Sequence, residues 1–232
     1  MKSSFRIGRI YGIDLKIHST FFIFPAFFAF LYGKDYGPSV GLRAFVLVLL
    51  VFTCVLAHEL THSLAAKAFH IDTPEITLYP IGGIASLQRI PKKPKQEFLI
   101  AIAGPLFNFI LTIVLFLPLY FALGEKNLFS PSLDSWPRMI ANLFWINPVL
   151  GLFNLIPAFP MDGGRILRAF LASRVGYFKA TRISVFLGSL FAIMFIIFGI
   201  WKRHWMLTLI GVFIHVAASN EKERLFYEES TH

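Results

Sequence analysis

The sequence predicts an all-α polytopic membrane protein, with about six transmembrane helices and a short re-entrant or interfacial β-hairpin. Three observations lead there. Of 232 residues, 56% are hydrophobic and only 15% charged, with mean hydropathy +0.66, whereas a soluble domain carries about 25% charged residues. Long apolar stretches recur between short polar breaks. The basic residues, which set a net charge of +9, concentrate in alternate breaks. Soluble, disordered and fibrous classes are excluded. The single cysteine, Cys54, excludes a disulfide framework and a cysteine-only metal site.

In chain order, residues 1–16 read as a cytoplasmic strand-like segment. Ile13-Asp14-Leu15-Lys16-Ile17 alternates apolar and charged side chains, the period of a half-buried strand. Six apolar spans follow within a membrane domain at 17–218: Ile17–Tyr32, Ala44–Phe69, Phe98–Leu123, Met139–Ile156, Ile183–Trp201 and Trp205–Ala218. A crossing helix needs roughly 20 residues, so the first and last must borrow flanking residues. The first span lacks a small-residue cleavage site and reads as a retained anchor. Ile76–Tyr79 and Ile84–Leu87 flank Pro80-Ile81-Gly82-Gly83 and read as a hairpin around a Gly-Gly turn. Residues 219–232 read as a cytoplasmic tail.

Charge sets orientation. With a cytoplasmic N-terminus, the inner segments hold 16 of the 22 Lys and Arg: Lys2, Arg6, Arg9, Lys16, Lys67, Arg89, Lys92, Lys93, Lys95, Arg165, Arg168, Arg174, Lys179, Arg182, Lys222 and Arg224. The other six are Lys34, Arg43, Lys126, Arg138, Lys202 and Arg203. The positive-inside rule then places both termini in the cytoplasm of a multi-pass cell-membrane protein. Arg165 and Arg168 read as markers of the inner interface. No basic cluster is interleaved with stacking aromatics, so nucleic acid is not an expected partner.

The second span contains His58-Glu59-Leu60-Thr61-His62, an H-E-x-x-H motif on a helix. Residues four apart share a face, so both imidazoles can point at one Zn²⁺. Glu59 can serve a water at that metal as general base. A catalytic zinc takes three protein ligands and keeps one position open. Cys54 and His62 are eight residues apart, roughly 12 Å along a helix, so Cys54 reads as a packed core residue. Asp162 is the only acid between Asp134 and Glu221. Alone it reads as the N-cap of a helix over Arg165–Ser173. Its place at the inner end of an out-to-in span, at the depth of His62, makes it the candidate third ligand. Asn154 reads either as an oxyanion donor or as an interhelical hydrogen bond. Asn108 reads as a packing or interhelical hydrogen-bonding residue. Two other function classes fit the same residues: a metal-ion transporter, and a catalytically silent adaptor that binds membrane segments.

Taken together, His58-Glu59-x-x-His62, Pro80-Ile81-Gly82-Gly83, Ala103-Gly104-Pro105-x-x-Asn108 and Asn154-x-x-Pro157 through Met161-Asp162-Gly163-Gly164 resemble the site-2 protease family of intramembrane zinc metalloproteases. The pattern is most similar to the prokaryotic branch that includes the sporulation sigma-factor processing protease. The resemblance implies a zinc endopeptidase that cuts transmembrane segments of single-span substrates, including membrane-tethered transcription regulators, within the lipid bilayer. It implies one zinc per chain on His58, His62 and Asp162, Glu59 as catalytic base, and Asn154 near the reacting carbonyl. It also implies that Gly82, Gly83, Ile84, Ala85 and Ser86 form a substrate-binding loop.

Overall fold

A computed structural model describes residues 4–80, 82–86, 88, 91 and 93–230, with the backbone alone at 224–230. Ile81 and Leu87 of the expected hairpin, and Lys2, Arg89 and Lys92 of the inner charge set, lie outside the described residues. In chain order the elements are β1 (Ser4–Ile10), β2 (Ile13–His18), α1 (Ile23–Tyr36), α2 (Pro38–Lys67), β3 (Glu75–Tyr79), β4 (Gly82–Ala85), α3 (Pro94–Leu123), α4 (Glu125–Leu128), α5 (Trp136–Asn154), α6 (Asp162–Val175), α7 (Tyr177–Trp201) and α8 (Trp205–Ser230).

Five of the six expected spans lie largely on helices, α2, α3, α5, α7 and α8, whereas the first, Ile17–Tyr32, starts in β2 and a 3-10 turn at Ser19–Phe22 and reaches α1 only at Ile23. Among the described residues, α2, α3 and α7 are long and apolar enough to cross a membrane. α1 has only 14 residues, and α5 carries Pro148 in its interior. The coarse reading of a largely helical membrane protein stands. The strictly all-α description does not, because the strands form a four-stranded sheet in the order β1-β2-β3-β4.

The extra strands have local causes. Tyr11 and Gly12 both take positive φ, 50° and 87°, as the two central residues of a tight hairpin turn do. That turn folds β1 back on β2, with Ile10 opposite Ile13. Arg6 and Arg9 of β1 lie 3.2 and 3.4 Å from the Asp14 carboxylate. β2 then pairs in parallel with β3, Leu15 opposite Ile76, across the connection made by α1 and α2. Lys16 pairs with Glu75 along the same seam. β3 and β4 run antiparallel, with Leu78 opposite Gly83 and Tyr79 opposite Gly82. The Gly pair therefore lies within β4, and Pro80 before it is a turn residue. Gly82 has φ +140°, which a side chain resists.

Two compact units emerge, Met1–Arg89 with Leu106–Gly151, and Ile90–Pro105 with Leu152–His232. In the first, Ile13, Leu15 and Ile76 of the sheet bury against Leu56 and Leu60 of α2. Phe21, Phe52 and Leu78 form an adjoining cluster. Full burial of each such side chain stabilises by about 1.5–3 kcal/mol. In the second, Met161 packs with Ala192 and Ile214, and Phe159 with Val185 and Ala218, tying the start of α6 to α7 and α8. Ile110, Ile113, Val114, Leu117 and Phe121 form an exposed stripe on α3, and Phe186, Leu190, Ile193 and Ile197 another on α7. Stripes of this extent suit lipid rather than water.

Candidate active site

α2 carries the H-E-x-x-H motif in its last third. His58 and His62 are buried, at 3% and 5% exposure, and their Nε2 atoms lie 3.0 Å apart. Tetrahedral zinc with bonds of about 2.0–2.1 Å sets two imidazole nitrogens about 3.3–3.4 Å apart, so the pair stands within a few tenths of an ångström of the spacing one ion requires. The neighbouring hydroxyls bond to their own helix and add no stray polarity. Thr61 Oγ1 donates to Ala57 O at 2.8 Å, and Ser63 Oγ to Glu59 O at 2.9 Å.

Behind His58 lies a buried polar chain. His58 Nδ1 is 2.6 Å from Asn108 Oδ1 on α3, and Asn108 Nδ2 donates to Asn147 Oδ1 on α5 at 3.0 Å. Asn147 Nδ2 donates to Leu143 O at 2.9 Å and reaches Cys54 Sγ at 3.5 Å. Asn108 thus makes the interhelical bonds its sequence context suggests, and one of them ends on the imidazole. Asn147 was missed. Its signal was an amide beside Pro148 in the middle of an apolar helix, where an unpaired polar group is costly. Cys54 is half-buried and packs beside this chain.

The sheet brings β4 to the motif's carboxylate. A Cβ built at Gly83 would stand 2.7 Å from Glu59 Cγ, so only glycine leaves the side chain room. Ile84 is exposed, and Ser86 N donates to Glu75 O at 3.0 Å, carrying the β3–β4 pairing past the strand end. Among the described residues, β4 pairs with β3 alone. Its outer edge therefore offers backbone groups to another strand.

Asn154 and Asp162 belong to the second unit, at the end of α5 and the start of α6. The N-cap of α6 is Met161, so Asp162 is its first helical residue and not the cap. A carboxylate there is favoured by the helix dipole. Close packing holds it in place. Cβ atoms at Gly163 and Gly164 would fall 2.2 Å from Ile156 O and 2.6 Å from Ala158 C. Gly188 of α7 meets Phe159 O just as closely, at 2.6 Å. Arg165 Nη1 lies 3.7 Å from Asp162 Oδ1.

Two arginines differ from their expected roles. Arg168 is 3% exposed and does not mark an interface. Its Nε and Nη2 donate to the buried Glu97, its Nη1 donates to Glu221 Oε1 at 2.7 Å, and its guanidinium covers the Phe159 and Tyr177 rings. Burial works to lower the Arg168 pKa. Glu97, Tyr177 and Glu221 outweigh it and raise the pKa, which keeps the cation charged. Arg43, counted among the outer charges, is buried and donates to Leu133 O at 2.6 Å.

The profile of peptidase family M50 matches residues 44–131 and 130–197. A zinc metalloprotease of Methanocaldococcus jannaschii is 38% identical over 221 residues, 95% of this chain and 61% of its own length. Stage IV sporulation protein FB of Bacillus subtilis is 28% identical over 146 residues, 62% of this chain and 46% of its own. The chain thus spans less than two thirds of either relative. Among solved structures, the site-2 protease from Methanocaldococcus jannaschii aligns with TM-score 0.69 and 38% identity over 94% of both chains.

Proposed function

The chain belongs to peptidase family M50, and on that premise we propose that it is an intramembrane zinc endopeptidase hydrolysing peptide bonds within transmembrane segments of membrane-tethered proteins. One observation carries the reading. A buried histidine pair and its adjacent glutamate sit on a membrane-length apolar helix, and against the glutamate lies a strand whose outer edge is unpaired among the described residues.

In this proposal His58, His62 and Asp162 hold the zinc. All three are buried, and each offers one nitrogen or carboxylate ligand atom. Two neutral imidazoles, the carboxylates of Asp162 and Glu59, and a divalent cation sum to zero charge, which suits a site poor in water. Bound there, zinc lowers the pKa of a water toward ~7 and polarises the scissile carbonyl. A Glu59 carboxylate oxygen takes the proton of the attacking water and returns it to the leaving amine. Gly82 to Ser86 hold the unwound substrate by strand addition, so that backbone bonds to β4 replace those lost from the substrate helix. Asn154 donates to the developing oxyanion.

The substrates are single-span proteins, among them membrane-tethered transcription regulators. The chain crosses the cell membrane six times with both termini in the cytoplasm, as the distribution of 22 basic residues suggests. The test is a proteomic comparison of membrane-protein fragments from cells making wild type or Glu59→Gln. Fragments should appear only with wild type, while purified Glu59→Gln protein keeps its zinc. Equal fragment sets would overturn the reading.

A further inference from the structure

We propose that Asn108 and Asn147 are positioning residues that fix the tautomer of His58 and so present its Nε2 lone pair to the metal; this rests on His58 being a zinc ligand. The inference comes from hydrogen-bond polarity, followed outward from a group that cannot reverse. The Leu143 backbone carbonyl only accepts. It lies 2.9 Å from the Asn147 side-chain amide, so the Asn147 atom facing it must be Nδ2. Asn147 then turns Oδ1 toward Asn108 at 3.0 Å, and Asn108 must answer with Nδ2. That leaves Asn108 Oδ1 facing His58 Nδ1 at 2.6 Å. An amide oxygen accepts only, so Nδ1 carries the hydrogen. In a neutral imidazole the lone pair then resides on Nε2, the atom that faces His62 Nε2 at 3.0 Å.

Burial makes this polarity binding. His58 is 3% exposed, Asn108 0% and Asn147 2%. If either amide flipped, two oxygens or two NH₂ groups would face each other, with no water to relieve them. The chain spans three helices, α2, α3 and α5, within one compact unit. It also holds the ring plane of His58 independently of the α2 backbone. Partners of this kind behind a zinc-bound histidine typically change metal affinity 10–100-fold when removed.

The test measures zinc affinity of the full chain in detergent, by competition with a chromophoric chelator, and thermal unfolding of the zinc-free protein beside it. Asn108→Leu should weaken zinc binding about 10–100-fold. Asn147→Leu, which frees the Asn108 amide to flip, should weaken it by less. Asn108→Asp keeps an acceptor toward Nδ1–H but turns its other oxygen on Asn147 Oδ1, so it should lower the unfolding temperature and still bind zinc more tightly than Asn108→Leu. A purely structural role would lower the unfolding temperature of the zinc-free variants and leave their zinc affinity at the wild-type value, which would overturn the inference. His58→Ala separates the two levels. If it leaves zinc affinity unchanged, the ligand assignment fails. If it abolishes binding while Asn108→Leu and Asn147→Leu bind as wild type, only the positioning chain fails.

Discussion

Adding one methyl group at Gly83 should cripple catalysis while sparing the zinc. In the Gly83→Ala variant the new Cβ would stand 2.7 Å from Glu59 Cγ, while Glu59 Cδ and Leu78 Cδ2 stay at an ordinary 3.6 Å. Carbon atoms pack at about 3.5–4.0 Å, so the shortfall is about 1 Å and falls on one atom. Unlike Gly82, Gly83 has no positive φ, so the backbone accepts alanine. Leu78 is 4% exposed beneath the strand, and the easier relief is a shift of the Glu59 side chain. A misplacement of 1 Å in a reacting group costs on the order of 10²-fold in rate. Overpacking adds about 1–3 kcal/mol of destabilisation. The assay is cleavage, in liposomes, of a single-span substrate found by the wild-type against Glu59→Gln comparison, with zinc content and unfolding temperature measured in parallel. Turnover should fall on the order of 10²-fold with one zinc retained. Wild-type turnover from folded, zinc-loaded Gly83→Ala protein would refute the placement of β4 against the base.

Two other perturbations act in the second unit. Gly164→Ala would drive a Cβ to within 2.6 Å of Ala158 C and Phe159 N. Backbone cannot swing aside as a side chain can, so stability should drop by about 1–3 kcal/mol and zinc should bind more weakly as Asp162 shifts; differential scanning calorimetry and chelator competition read the two effects. Arg168→Leu leaves the 1%-exposed Glu97 without its cation and should cost about 3–5 kcal/mol. The double variant Arg168→Leu/Glu97→Leu should recover part of that in thermal unfolding, and no recovery would argue against the buried pair.

Much of the helical layout was legible because lipid imposes one simple rule: about 20 apolar residues for a crossing. The third and fifth expected spans end where α3 and α7 end, at Leu123 and Trp201. The motif at 58–62 was equally legible, since three adjacent polar groups in an apolar helix demand a reason. Strand β1 was not. Ser4–Ile10 lacks clean alternation, and its pairing depends on a two-residue turn and on arginines meeting Asp14 across the hairpin. The Gly-Gly pair was misplaced by one turn for a related reason. Glycine marks turns in general, but here the room it leaves is needed by a side chain from another element, which no local pattern reveals. Arg168 was misread because a cation soon after an apolar span usually meets the interface. Its partners Glu97 and Glu221 are 71 and 53 residues away in sequence.

The sheet and the motif are linked through the pitch of α2. At 3.6 residues per turn each residue advances about 100° around the axis. Leu56 and Leu60, which hold Ile13, Leu15 and Ile76, mark the side of the helix that faces the sheet. His58 stands about 200° from Leu56, nearly opposite. Glu59 stands about 60° from Leu56 in the other sense, which returns it to the sheet side, where Gly83 meets it. The H-E-x-x-H spacing therefore does two things at once. It puts the two imidazoles side by side, and it turns Glu59, the base in the proposed mechanism, toward the strand that would hold the peptide. A base so placed lies between a strand-bound backbone and the histidines, where a water must lose its proton. β1 and β2 gain a role by the same reasoning. They set the register of β3, with Leu15 opposite Ile76, and β3 sets β4, with Leu78 opposite Gly83. The N-terminal strands thus help to decide which residue of β4 faces Glu59.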